Sequence, residues 1–184
     1  MKNFSFKNPT KLIFGKGSIA QLTKEIPQDK RIMICFGGGS VKNNGVYDQV
    51  MNALSGHHII EFWGIEPNPT YDTLIEAVAQ ARNHSIDFLL AVGGGSVIDG
   101  TKFIAAAIPY ANDPWEFVLD DSKITKTFPL AAILTLPATG SEMNGGSVIS
   151  KLATKEKYAF HHPGVFPLFS ILDPETCYSL PDYQ

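Results

Sequence analysis

The chain carries a series of uninterrupted apolar runs, each followed by glycine or proline and then by a segment with helical spacing. Arg31–Phe36 and Asp87–Val92 are the clearest runs. A strand covered on both faces has no polar side to alternate with, so such runs predict central strands of a parallel sheet. Leu12–Phe14, Ile59–Phe62, Leu130–Leu134 and Leu168–Leu172 read as further strands. Between them, Ile19, Leu22 and Ile26 mark a short helix opened by Ser18 and closed by Pro27. Val46, Val50, Met51 and Leu54 mark a second helix, and Leu74, Val78 and Ala81 a third from Tyr71 to Asn83. A fourth runs from Ser96 to Ile108 and is stopped by Pro109. This alternation predicts an α/β domain: a Rossmann-like parallel sheet with helices on both faces. After Pro109 the rhythm loosens. Ser147–Leu152 and Tyr158–Phe160 predict a hairpin turning at Lys155, and Asp173-Pro174 predicts a turn.

Composition adds a core and removes some partners. Hydrophobic residues make up 44 % of the chain and charged residues 18 %, enough apolar surface for a packed interior. A net charge of −3 without a basic run argues against nucleic acid and against an anionic membrane. No stretch is long and apolar enough for a membrane span, and Met1–Phe14 has no signal-peptide pattern, so the expected compartment is the cytoplasm. Cys35 lies in an apolar run and reads as buried and inert.

Two near-copies carry the candidate chemistry: Gly37-Gly38-Gly39-Ser40 and Gly93-Gly94-Gly95-Ser96. Each follows a buried strand and precedes a helix. Ligands of open parallel sheets bind beyond the carboxyl ends of the strands, where these loops fall. Glycine lets the main chain approach a pyrophosphate, and free N–H groups at a helix start favour an anion. Neither loop is a G-x-G-x-x-G or P-loop fingerprint. A flexible turn with Ser96 as helix cap is the plainer alternative. Asp99, three residues after Ser96, reads from spacing as the acid of a capping box; the other role open to it is a contact inside the cleft. Thr135–Glu142 packs hydroxyls among small residues, either beside a ligand or as a turn.

Taken together, Leu12–Gly17, Phe36–Ser40, Gly64–Pro69, Gly93–Asp99 and Leu136–Glu142 resemble the iron-containing (group III) alcohol dehydrogenases, nearest their NADP-dependent butanol dehydrogenase and broad-specificity aldehyde reductase branch. The resemblance implies an NAD(P)-binding α/β domain, here residues 1–180, followed by an all-helical metal-binding domain that begins at 181–184 and is absent from this chain. It implies that Gly93, Gly94, Gly95 and Ser96 hold the pyrophosphate and that Asp99 contacts the nicotinamide side. Thr139, Ser141 and Asn144 then line the cofactor cleft, with Val148 against a cofactor face. Lys157 reaches the ribose, and Asn68 lies near the adenosine end.

NAD-using relatives place an aspartate where this chain has Gly39. With Ser40 and Lys42 beside it, and Gly37 and Gly38 before it, the loop suits a 2′-phosphate, which predicts NADP over NAD. The family's iron or zinc is held by one aspartate and three histidines. None of His57, His58, His84, His161 and His162 matches those ligands, so no catalytic or metal residue is assigned here. The expected reaction is hydride transfer between NADPH and the carbonyl carbon of a small aldehyde or alcohol, with the isolated chain inactive and the complete enzyme a homodimer. Two other readings stay open: a non-catalytic nucleotide-binding module, and an enzyme of the glycerol-phosphate dehydrogenase or dehydroquinate synthase type.

Overall fold

In the computed structural model, which describes residues 3–5 and 7–180, six strands form one parallel sheet. In chain order they are β1 (Lys11–Phe14), β2 (Arg31–Phe36), β3 (His58–Phe62), β4 (Phe88–Gly94), β5 (Leu130–Leu136) and, after a hairpin, β8 (Phe169–Leu172). Their spatial order is β1-β8-β5-β4-β2-β3. The hairpin is β6 (Gly146–Lys151) with β7 (Glu156–His161), antiparallel and turning through Lys155 at φ 57. Helices α1 (Leu22–Glu25), α2 (Val46–Ala53), α3 (Tyr71–Asn83), α4 (Gly95–Ala107) and α5 (Trp115–Leu119) fill the connections.

Alternation along the central strands explains why their sequences are apolar throughout. Ile32, Ile34 and Phe36 of β2, with Phe88, Leu90 and Val92 of β4, pack with Val46, Val50 and Leu54 on one face. Met33 and Cys35 of β2, with Leu89 and Ala91 of β4, pack with Leu74, Ala77 and Val78 of α3 and Ile98 of α4 on the other. Both sides are therefore covered, as the continuous runs demand. Burial pushes the Cys35 thiol up to about 12, which keeps it protonated and unreactive.

Several elements differ from the expectation. The Ser18 segment begins as a 3₁₀ turn, Ser18–Gln21, before α1. β4 continues through Gly93 and Gly94, so α4 starts at Gly95 rather than Ser96. Gly94 is able to stay in the strand because its pairing with β5 shifts register there, to Leu136. β5 correspondingly extends to Leu136. Helix α5, in the stretch after Pro109, has no sequence counterpart above; Trp115, Phe117 and Val118 bury its inner face. Residues 181–184, expected to open a helical domain, lie outside the described residues. No helix among the described residues is long and apolar enough to cross a membrane.

Helix α4 is buried on nearly every side, and its closest approach to α3 depends on Gly100. A β-carbon there would lie 2.9 Å from Leu74 Cδ2 and 3.1 Å from Ile65 Cγ2. Overpacking of this kind costs about 1–3 kcal/mol, against roughly 0.3 kcal/mol regained in helix propensity when valine replaces glycine. Gly100→Val is accordingly expected to lower the urea midpoint of the full-length protein with the slope unchanged. A midpoint at or above that of the parent would show that α3 and α4 have slack at this crossing.

Candidate functional site

The strand order reverses at β2. Its successor β3 lies on one side of it, whereas β4 lies on the other. The connections leaving β2 and β4 therefore diverge, and a crevice opens between them at the carboxyl ends of the strands. A cavity of about 360 Å³ occupies it, lined by Gly37, Gly39 and Ser40 from one side, Gly93, Gly94 and Val97 from the other, and Thr135 and Leu136 from β5. An adjoining hollow of about 230 Å³ continues it past Gly38, Gly95, Ser96 and Pro67.

The two glycine loops have different characters. The second is crowded by its own surroundings. A β-carbon on Gly93 would lie 2.6 Å from Val97 Cγ2, and one on Gly95 would fall on the Thr139 side chain, 2.7 Å from its Cγ2. Glycine here lets α4 begin directly against β5 and the turn after it, with no side chain in the groove. The first loop is open. Nothing lies within 4 Å of a β-carbon on Gly38 or Gly39, and Gly39 takes a left-handed φ of 100. Lys42 is not in the lining: its ammonium sits 4.2 Å from the centroid of the Trp63 ring and 5.4 Å from that of Tyr47. Both aromatic polar groups donate to Glu61, Tyr47 Oη at 2.9 Å and Trp63 Nε1 at 2.7 Å.

Several residues singled out in the sequence meet along one wall. The Asn68 amide donates to Ser96 Oγ at 3.3 Å, and Lys157 Nζ donates to Asn68 Oδ1 at 2.7 Å. The left-handed Pro-Asn-Pro turn is thereby tied both to the start of α4 and to the hairpin. Thr139 Oγ1 accepts from the Ser141 amide at 3.2 Å. Val148 is 37 % exposed, an apolar side chain facing outward beside this wall.

Asp99 does not complete a capping box. Gly94 caps α4 without any side-chain hydrogen bond. Asp99 instead faces the hairpin: its Oδ1 accepts from Ser141 Oγ at 2.5 Å and its Oδ2 from the Val148 amide at 3.1 Å. Donors on another element compete successfully because the side chain leaves the helix toward the 141–148 segment. Burial pushes its carboxyl above the ordinary range, while Ser141, Val148 and the nearby Lys102 charge pull it back.

Lys102 is the residue that the sequence reading missed. It is 0 % exposed, and its ammonium donates to Ser141 Oγ at 2.8 Å, Asn144 Oδ1 at 3.0 Å and the Gly146 carbonyl at 2.7 Å. Burial lowers its pKa to about 8 against the pull of Asp99 and Glu142. A signal was present: it is the one charge in Gly100–Ala107, the part of α4 that is otherwise almost wholly apolar and is buried all round.

The histidines do not converge. His58 and His84 are exposed, and His162 Nδ1 accepts from the Gly164 amide at 3.1 Å. Among the described residues no group of three or more His, Cys, Asp or Glu lies so as to hold a metal ion.

Comparison with known proteins matches this geometry to a family. The chain is 54 % identical to the NADPH-dependent aldehyde reductase YqhD of Escherichia coli (strain K12), over 100 % of this chain and 48 % of that protein. It is 50 % identical to the probable NADH-dependent butanol dehydrogenase 1 of Bacillus subtilis (strain 168), over 98 % of this chain and 48 % of the relative. The crystal structure of E. coli K-12 YqhD superposes with a TM-score of 0.95 at 53 % identity, covering 99 % of this chain and 47 % of that one. The chain thus spans about half the length of the curated relatives it matches. Residues 9–174 match the model of the iron-containing alcohol dehydrogenases, and the chain belongs to that family.

Proposed function

We propose that this chain is the cofactor-binding part, residues 1–180, of an NADP(H)-dependent alcohol dehydrogenase or aldehyde reductase. The observation that carries the reading is the crevice at the β2/β4 reversal, with one glycine loop on each side. Its chemistry fits a dinucleotide. Gly93–Ser96 bring main chain and the start of a thirteen-residue helix to the groove with no side chain in the way, which suits a pyrophosphate. Thr139 stands against Gly95 of this loop, Ser141 donates to Asp99 beside it, and Asn68 with Lys157 ties the neighbouring turn. The bound nicotinamide supplies the hydride exchanged with a carbonyl carbon. The residues of this chain seat that carrier and shape the groove around it.

The preference for NADP over NAD rests on the first loop. Relatives named for NADPH and for NADH stand at similar identity, so resemblance alone does not choose. The open space at Gly38 and Gly39, with the Ser40 hydroxyl beside it, accommodates a 2′-phosphate and presents no carboxylate against it. Lys42 would supply the cation by leaving the Trp63 face, where such an exposed contact is worth about 0.5–1 kcal/mol. The decisive measurement is titration of the full-length protein with 2′,5′-ADP and 5′-AMP. The former is expected to bind at least about tenfold more tightly. Equal affinities would remove the NADP assignment, and failure of both to bind would remove the dinucleotide reading. A screen of aldehydes against phosphorylated polyols separates a carbonyl reductase from glycerol-phosphate chemistry on the same fold.

Among the described residues no group of three or more His, Cys, Asp or Glu is placed to hold the family's iron or zinc, and none of them is assigned as its ligand. A homodimer is supported by the β1 edge, where Leu12 and Phe14 are 49 % and 71 % exposed. The free thiols of Cys35 and Cys177 are in keeping with a reducing cytoplasm.

A further inference from the structure

We infer that Lys102 is a positioning residue for the cofactor cleft, fixing the Ser141 hydroxyl and, through it, Asp99 in an ionised, acceptor-only state. The inference rests on the nicotinamide reading above.

An ammonium carries three hydrogens and no lone pair. All three hydrogens of Lys102 are spent on one short segment, at Ser141, Asn144 and Gly146. Ser141 Oγ therefore accepts from Lys102, and its single proton is left for Asp99 Oδ1, at 2.5 Å. The second carboxylate oxygen accepts the Val148 amide at 3.1 Å. Both oxygens of Asp99 are thus met by donors, which holds the group as a carboxylate although burial works against it. On the nicotinamide reading, a carboxylate so oriented offers its remaining lone pairs to a cofactor donor, such as a ribose hydroxyl or a carboxamide.

The arrangement is costly enough to need a reason. Burying an ammonium is unfavourable unless its hydrogen bonds are complete, and an apolar side chain of similar volume often serves stability as well. What the lysine provides and a methionine does not is a fixed direction for the Ser141 proton. Asn144 is locked by the same atom: its Oδ1 also accepts the Gly146 amide at 2.8 Å, and its Nδ2 donates to the Gly140 carbonyl at 2.9 Å. The whole 140–148 segment is thereby referenced to α4, the helix that begins at the glycine loop.

The charged groups facing the Lys102 ammonium are Asp99 on its own helix and Glu142 on the turn packed against it. Since burial brings the lysine down to about 8, it is charged at pH 7 and neutral well above pH 8. A neutral amine has a lone pair, so Ser141 is then free to turn its proton away from Asp99.

The test uses the full-length protein, its Lys102→Met variant and Ser141→Ala. Two readouts are taken: NADPH dissociation constants from pH 7 to 9.5, and amide hydrogen exchange at 140–148 without nucleotide. In the parent, NADPH affinity is expected to fall at least about threefold across that range. In Lys102→Met it is expected to be at least about tenfold weaker at pH 7 and flat with pH, with protection lost at the Val148 amide. Ser141→Ala keeps the bonds of Lys102 to Asn144 and Gly146 and is expected to reproduce the flat profile; it answers the question if the methionine variant does not fold. NADPH binding unchanged in both variants, or a pH dependence retained in either, overturns the inference and leaves the nicotinamide reading standing. A parent protein that binds no NADPH overturns that reading, and the cofactor role of Lys102 with it.

Discussion

Gly95→Val is expected to weaken NADPH binding of the full-length protein by more than about 100-fold, a loss of about 2.7 kcal/mol. The β-carbon of any other residue at this position falls on the Thr139 side chain, 2.7 Å from Cγ2 and 3.1 Å from Cβ. Two responses are open to the structure. The turn carrying Thr139 moves outward and drags Ser141 off Asp99, or the first turn of α4 moves into the groove. Either removes the proposed seat of the pyrophosphate. The cost to the fold is smaller, because Thr139 is exposed and able to yield, and should stay within the about 1–3 kcal/mol of an overpacked site. Fluorescence titration with NADPH checks the first figure and thermal denaturation the second. Wild-type affinity in a folded Gly95→Val protein would exclude this loop as the phosphate seat.

At the other side of the groove, Gly39→Asp is expected to lower the NADP/NAD ratio of kcat/KM by at least about 100-fold, again about 2.7 kcal/mol. The side chain has room, since no atom lies within 4 Å of the β-carbon. The backbone is the obstacle: φ is 100, and a residue other than glycine there costs about 1–3 kcal/mol, least for Asp and Asn among them. That strain is common to both cofactors and cancels from the ratio. What remains is the carboxylate itself, which repels a 2′-phosphate and accepts from a 2′-hydroxyl. Steady-state kinetics with both cofactors measures it. An unchanged ratio would mean that the 2′ position does not lie at Gly39.

Much of this architecture was legible because burial on both faces leaves a simple record. The runs Arg31–Phe36 and Asp87–Val92 could only be central strands, and they are β2 and β4. The spacing of Leu74, Val78 and Ala81 gave α3 its observed bounds, Tyr71–Asn83. The hairpin was legible as well, since Lys155 occupies the left-handed turn between Ser147–Leu152 and Tyr158–Phe160. Helix α5 was not, because five residues after a proline and an aspartate are too short for a period to emerge; tertiary contacts of Trp115 and Phe117 with Tyr71 and Phe103 fix it instead. The site was legible at the level of its glycine loops and invisible at the level of its polar network. Nothing in the spacing of Asp99, Lys102, Ser141 and Val148 reveals that one helix and one turn share a single chain of hydrogen bonds across some forty residues of sequence. The glycine at 100 likewise has its meaning only in Leu74 and Ile65, which sequence separates from it.

The unequal crowding of the two glycine loops has a consequence for how such a protein changes. The loop after β4 is wedged against Val97, Leu136 and Thr139, so nearly every substitution there disturbs the framework as well as the groove. The loop after β2 borders solvent at Gly38 and Gly39, and a new side chain there meets no framework atom. The energetic effects of replacements at Gly38 or Gly39 should therefore add with little coupling to those at Gly94 or Gly95, whose framework neighbours they do not share. On the proposed reading, the part of the groove that grips what all nicotinamide nucleotides have in common has little room for new side chains, whereas the part that distinguishes one from another has room for them and meets only the backbone strain at Gly39. Coenzyme preference would then be open to change by single steps while the proposed hydride seat stays intact.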